Sequence, residues 1–210
     1  MRRTIVAALA AAAIVLGTAG CGASPAAVTP PVPTESSPPP VPPTPAVDVP
    51  VTAATPAPAR QPVPPVRVVA ASIGVDMPVV PVGVEPEGFM ELVEDPAIAG
   101  WYRFGSDSAA SEGNVVISAH VDSPDYPIGP LSRLRDLSAG AEIEVTDAAG
   151  TAHRYAVASV TYYPKTELPV DALFARSGGR ALVLITCGGE YDPAVGRYTD
   201  NVVAIATPVS

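Results

Sequence analysis

From residue 66 onward the apolar positions fall in short runs rich in β-branched side chains, separated by glycine, proline and acidic turns. Residues 66–73 and 77–84 are two such runs around Gly74-Val75-Asp76, and 89–93 is a shorter one. Residues 114–120 (Asn-Val-Val-Ile-Ser-Ala-His) read as a buried strand that starts after Gly113. Residues 141–147 alternate, Ala148-Ala149-Gly150 turns, and 151–163 returns, the pattern of a hairpin. Residues 180–187 form a continuous apolar strand, and 198–207 the last one. Eight strand candidates against two short helical pieces, 131–137 and 170–176, predict an all-β barrel or sandwich.

The chain before this domain has a different texture. Residues 22–65 show no apolar periodicity and hold the dense proline run, including Pro38-Pro39-Pro40-Val41-Pro42-Pro43. Such a stretch prefers polyproline II, cannot form a core and reads as a disordered Pro-rich linker. Residues 1–21 begin with Met1-Arg2-Arg3, continue as an apolar run and end in Gly17-Thr18-Ala19-Gly20-Cys21, the layout of a secretory leader. The Ala-Gly-Cys ending resembles a bacterial lipobox, which implies lipidation of Cys21, with Thr18 where that motif usually has Leu. An uncleaved membrane anchor over residues 4–20 is the competing reading, and plain secretion a third. The expected organisation is a leader or anchor at 1–21, a linker at 22–65 and a folded domain at 66–210. The tether then places the domain at the outer face of the cytoplasmic membrane.

Charge removes one class of partner. The chain carries a net charge of −9, and the residues from 66 onward hold most of the acidic ones. A nucleic-acid binder needs a basic surface to neutralise phosphates, so nucleic acid is excluded. There are two cysteines and two histidines, too few for a zinc site of ordinary composition. Glu94, Asp95, Asp122 and Asp125 lack a calcium-ligand spacing. No metal and no cofactor are expected.

With Cys21 assigned to the leader, Cys187 is the one thiol of an exported domain, and an unpaired thiol in that setting signals reactivity. It ends an apolar strand and precedes Gly188-Gly189, which let another chain approach closely. The competing reading is a small buried core residue. His120 also ends an apolar strand, so two strand ends at one lip would set an imidazole beside the thiol, as nucleophilic catalysis by cysteine requires. Arg197 opens the last strand and supplies a guanidinium for an acyl-transfer oxyanion; on spacing alone a solvated strand-edge arginine is the simpler reading. His153 follows the hairpin turn and reads as a surface residue. Trp101, Tyr102, Tyr162 and Tyr163 read as core and rim packing.

Three segments in order carry a resemblance: Asn-Val-Val-Ile-Ser-Ala-His120-Val-Asp, then Leu-Ile-Thr-Cys187-Gly-Gly, then Tyr-Thr-Asp-Asn-Val-Val-Ala-Ile-Ala. With Ile73-Gly-Val-Asp76, Val80-Pro-Val-Gly83 and Gly100-Trp-Tyr102 upstream, residues 66–207 resemble a sortase, most of all one of class F. The resemblance implies an eight-stranded sortase-type β-barrel and a Cys, His, Arg site. It implies that Cys187 attacks the Thr carbonyl of an LPxTG-like sorting signal on a secreted protein and forms a thioester. His120 then protonates the departing amine, and a peptidoglycan precursor or other wall amine resolves the intermediate. Thr186 is carried over as a substrate- or oxyanion-contacting neighbour. Ala119 stands where the family usually has Gly. Asn201 stands where many members place the Arg, and Arg197 lies four residues earlier on the same strand face, so the oxyanion role falls to either residue. A second cysteine transpeptidase family, the L,D-transpeptidases, shows an Arg just after its Cys, where this chain has Gly188. The alternative from another class is an exported, tethered binding lipoprotein with an inert buried Cys187. No oligomer interface is marked, so a monomer is expected.

Overall fold

The computed structural model describes residues 60–209. The leader expected over 1–21, with Cys21, and the expected linker as far as residue 59 lie outside the described residues. Eight strands, β1 (Pro65–Ala70), β2 (Val75–Val82), β3 (Ala99–Tyr102), β4 (Asn114–Ser118), β5 (Glu142–Asp147), β6 (Ala152–Pro164), β7 (Ala181–Asp192) and β8 (Arg197–Pro208), close into a barrel in the order β1-β2-β3-β4-β7-β8-β6-β5. β5 and β6 form the expected hairpin, and β2–β3 and β4–β7 are the parallel neighbours. Among the described residues no helix is long and apolar enough to cross a membrane.

The continuous apolar runs of β4 and β7 follow from burial on both faces, as is usual for paired parallel strands. Val115, Ile117, Leu182 and Leu184 point into the barrel and pack with Met77, Ile143 and Tyr155. Val116, Val183 and Ile185 point outward and are covered by Leu173, Leu168, Phe174 and Tyr102. One end of the barrel is plugged by a 3₁₀ turn, Pro130–Asp136, whose Leu131 and Leu134 are fully buried.

One strand departs from the sequence expectation. Residues 89–93 do not form a barrel strand; Met90 makes only an isolated bridge to Val84. Phe89 is 68% exposed and Met90 packs on the outer cluster around Val116 and Val183, so this segment lines a surface groove and not the barrel interior. The third strand is instead Ala99–Tyr102, which carries little β-branched signal. Gly100 is required there, because a Cβ would lie 2.8 Å from the Val82 side chain on the neighbouring strand.

Of the two helical pieces, the first is the 3₁₀ turn Pro130–Asp136 and keeps its expected length, while the second is shorter than the apolar pattern predicts. The second, α1 (Val170–Leu173), is a single turn. It stops where the Asn114 side-chain amide donates to the carbonyls of Ala172 (2.9 Å) and Leu173 (3.0 Å), occupying the oxygens a longer helix would use. At the other end of the described chain, contacts with the barrel reach back to Arg60. Its guanidinium pairs with the buried Asp107 at 2.6 Å, and the Val63 N–H donates to the same carboxylate at 3.1 Å.

Candidate active site

β4 and β7 run side by side with Ser118 opposite Ile185, so the next two residues of each strand are neighbours as well. Ser118 Oγ donates to the Ile185 carbonyl at 2.8 Å, and Thr186 Oγ1 donates to the Ala119 carbonyl at 2.8 Å. Both hydroxyls are buried. The end of β4 and the middle of β7 are thereby stitched together one residue before His120 and Cys187. Strand alternation turns Val116, Ser118 and His120 to the outer face, together with Val183, Ile185 and Cys187. His120 lies two residues past the end of β4, whereas β7 does not end at Cys187, as its apolar run suggests, but continues to Asp192; the register sets the two residues side by side on one outer face.

His120 and Cys187 form a shared wall between two grooves. The first groove, about 540 Å³, is mostly apolar, with Phe89, Met90, Leu168, Phe174 and Ile185 along it. The second, about 730 Å³, is the more polar of the two: apolar atoms still make up most of its lining, but it carries Asp122, Tyr191, Arg197 and Tyr198. Cys187 is half-buried and lines both. A core cysteine of the kind the binding-lipoprotein reading needs would be enclosed.

Beyond Cys187, β7 and β8 continue as an irregular ladder, with a bulge between Gly188 and Tyr191. Gly189 adopts φ +75°, a left-handed conformation that side chains rarely tolerate, and a Cβ on Gly188 would lie 2.5 Å from Val202. The glycine pair thus lets the hairpin bend immediately after the thiol. Asn201 faces Cys187 directly across β7–β8 and lines the apolar groove. Arg197 lies opposite Asp192 near the hairpin tip and is exposed. It shares the polar groove with the thiol but starts four residues from Asn201, about 13 Å along an extended strand.

The hydrogen-bond partner found on Sγ comes from elsewhere: Lys165 Nζ, at 3.4 Å. Lys165 follows Pro164, the last residue of β6, and lines both grooves. Sequence reasoning missed it. The one usable signal was its position just after the last strand residues of β6, in the 3₁₀ turn Lys165–Glu167, and that becomes informative only once β6 is known to pair with β8.

The electrostatics of the site centre on His120. Burial holds its pKa below the ordinary 6.5, and the positive charge of Lys165 pushes the same way; Asp122 and Glu85 oppose it in part. The imidazole is therefore neutral near pH 7 and available to accept a proton. Tyr198 donates to Asp122 at 2.6 Å, which fastens the loop after His120 to the start of β8. That bond to a carboxylate pushes the Tyr198 phenol up to about 12. His153 lies outside the site and pairs with the buried Asp147 at 2.8 Å. Trp101 is core, with Nε1 donating to the Ser106 carbonyl at 3.0 Å.

The family model described as the sortase domain matches residues 68–209. Solved structures with the same fold include sortase C-1 from Actinomyces oris, at 19% identity and a TM-score of 0.51, over 69% of this chain and 73% of that one. Sortase C1 from Streptococcus suis matches at 17% identity and a TM-score of 0.53, over 70% and 73% of the two chains. The pilus-related sortase C of Group B Streptococcus matches at 17% identity and a TM-score of 0.52, over 72% and 70%. No protein of curated function matches the sequence.

Proposed function

Since this chain belongs to the sortase family of cysteine transpeptidases, we propose that it is a class F member that cleaves an LPxTG-like sorting signal between Thr and Gly and passes the acyl group to a cell-wall amine. The observation that carries this reading is the wall formed by His120 and Cys187 between an apolar groove and a second one that holds the charged side chains of Asp122 and Arg197. An acyl donor with Leu and Pro side chains suits the apolar groove, and an amine acceptor suits the second. The class F assignment rests on the sequence resemblance over residues 66–207.

The proposed chemistry uses the residues as they stand. His120, neutral near pH 7, takes the Cys187 proton as the sulfur attacks the Thr carbonyl carbon. The S–C bond forms, and the carbonyl π pair moves to oxygen as an oxyanion. The Asn201 amide, facing Cys187, is the neutral donor toward that oxygen. Collapse restores the carbonyl and breaks the C–N bond, and the departing Gly amine takes the proton from His120. An acceptor amine entering by the polar groove then attacks the thioester, gives its proton to His120 and releases the sulfur. In this reading Thr186 acts through the fastening of the end of β4 to β7, and Arg197 is a cation of the acceptor groove.

The placement in the cell follows the N-terminal reading. Residues 1–21, through lipidated Cys21 or a membrane anchor, tether the chain at the outer face of the cytoplasmic membrane, and the Pro-rich linker at 22–65 spaces the catalytic domain, 66–210, from it. The domain works as a monomer.

The test is intact-mass analysis of the protein incubated with a panel of LPxTG-like peptides, with and without glycine or diaminopimelate-type amines. A covalent adduct equal to the peptide minus its leaving group is expected, absent in Cys187→Ala and discharged by the amine. No adduct across the panel, with a thiol that resists iodoacetamide, would leave the inert binding domain as the better account.

A further inference from the structure

Sortase chemistry as the resemblance describes it calls for a cation beside the thiol, supplied by an arginine of the last strand. In this chain the position facing Cys187 on β8 is Asn201, a neutral amide. The arginine of that strand, Arg197, is exposed and sits near the hairpin tip, opposite Asp192. A cation is nevertheless present at the sulfur, and it arrives from one strand further round the barrel.

The register shows how. Cys187 faces Asn201 across β7–β8, and Asn201 faces Tyr163 across β8–β6. Two residues beyond Tyr163, in the 3₁₀ turn that follows Pro164, Lys165 reaches across the intervening strand and sets Nζ 3.4 Å from Sγ. Lys165 is half-buried and lines both grooves together with His120 and Cys187. A long flexible side chain can span one intervening strand where a short one cannot. A compact ammonium with three rotatable donors can also serve the sulfur and a neighbouring oxygen together.

We propose that Lys165 is the cationic catalytic residue of this site, donating from Nζ to the Cys187 sulfur as it gains charge and to the oxyanion formed on the carbon bonded to it. The inference rests on Cys187 acting as the acyl-accepting nucleophile. The transferred proton travels between Cys187, His120 and the leaving or incoming amine, and none passes through Lys165. The charge that Lys165 stabilises appears first on sulfur during attack, then on oxygen, and on sulfur again when the acceptor displaces it.

Two readouts on Lys165→Met and Lys165→Arg test this, each variant first checked for an unchanged thermal midpoint. The first is the single-turnover rate of thioester formation with a reactive LPxTG-like peptide. Loss of one oxyanion donor typically costs about 100-fold or more, so Lys165→Met is expected to fall by about that factor and Lys165→Arg to recover much of it. The second is the rate of iodoacetamide alkylation of Cys187 at pH 7, which needs no substrate. Removing the donor that contacts the sulfur is expected to slow it by more than about threefold, because the ammonium stabilises the charge the sulfur gains during attack. Lys165→Met within about threefold of wild type in either readout overturns the proposal. If wild type forms no thioester with any peptide, the transpeptidase reading itself has failed, and alkylation alone still decides whether Lys165 activates the thiol.

Discussion

Thr186 Oγ1 donates a 2.8 Å hydrogen bond to the carbonyl of Ala119, joining the residue before the thiol to the residue before the imidazole. The bond is buried and spans 67 positions of sequence. Thr186→Val keeps the shape of the side chain and removes the donor, leaving the Ala119 carbonyl unpaired in the interior. A loss of about 1–3 kcal/mol is expected in urea unfolding. The single-turnover acylation rate should fall as well, because one of the two side-chain bonds that hold His120 and Cys187 in register is lost, leaving that of Ser118 to Ile185. Wild-type acylation in a destabilised Thr186→Val protein would mean that the bond serves stability alone.

The pH dependence of acylation follows from His120. Its pKa lies below 6.5, so the proton-accepting form survives to lower pH than for an ordinary histidine, and the acid limb of kcat/KM should fall below pH 6.5. Lys165 contributes to the lowering and Asp122 opposes it. Lys165→Met is therefore expected to move the acid limb to higher pH, and Asp122→Asn to move it lower. Shifts in the reverse directions would show that another group sets the limb.

Acid stability should depend on Asp147. Burial alone would raise its pKa, but the bonds from His153 and from the N–H groups of Thr151 and Ala149 outweigh it and hold the carboxyl below the ordinary 3.8. A depressed carboxylate pKa contributes stability that is present above pH 3.8 and is lost as the pH falls through the folded value. Asp147→Asn should cost about 1–3 kcal/mol at pH 7. The gap between variant and wild type, followed by thermal unfolding across pH, should narrow below pH 3.8.

The segment just before β1 contributes to stability too. A chain that begins at Val66 lacks Arg60 and Val63, both bonded to the Asp107 carboxylate, whose side chain is only 1% exposed. Compared with a chain that begins at Arg60, it should be less stable by about 1–3 kcal/mol, since a buried carboxylate loses donors. The Arg60 guanidinium is 51% exposed, so the Val63 amide should account for more of the loss than the ion pair. Equal unfolding midpoints would show that water replaces both donors without cost.

The parts of this molecule legible in sequence are those where burial leaves an unambiguous pattern. β4 and β7 are covered on both faces and read as unbroken apolar runs, each ending near a residue with chemistry. The β5–β6 hairpin alternates around a glycine turn and was equally plain. β3 was hidden because its four residues, Ala-Gly-Trp-Tyr, are held by close packing against Val82 and not by β-branched side chains. Residues 89–93 misled for the opposite reason: they are apolar because they line a groove, and an apolar surface gives the same local signal as a core strand. Lys165 was invisible because its role depends on two successive strand registers, β7–β8 and β8–β6, neither of which is encoded near it.

The parallel pairing of β4 with β7 bears on when reactivity appears. The two strands are separated by the β5–β6 hairpin and α1, so their contact closes one of the longer loops in the domain. Contacts of that range carry a large chain-closure cost and are characteristic of slow-folding β topologies. Until that closure is made, the thiol and the imidazole are unrelated groups on a flexible polymer. A chain that has not yet made this closure would thus carry an unassembled nucleophile, and its chemistry would switch on only with that long-range step of folding.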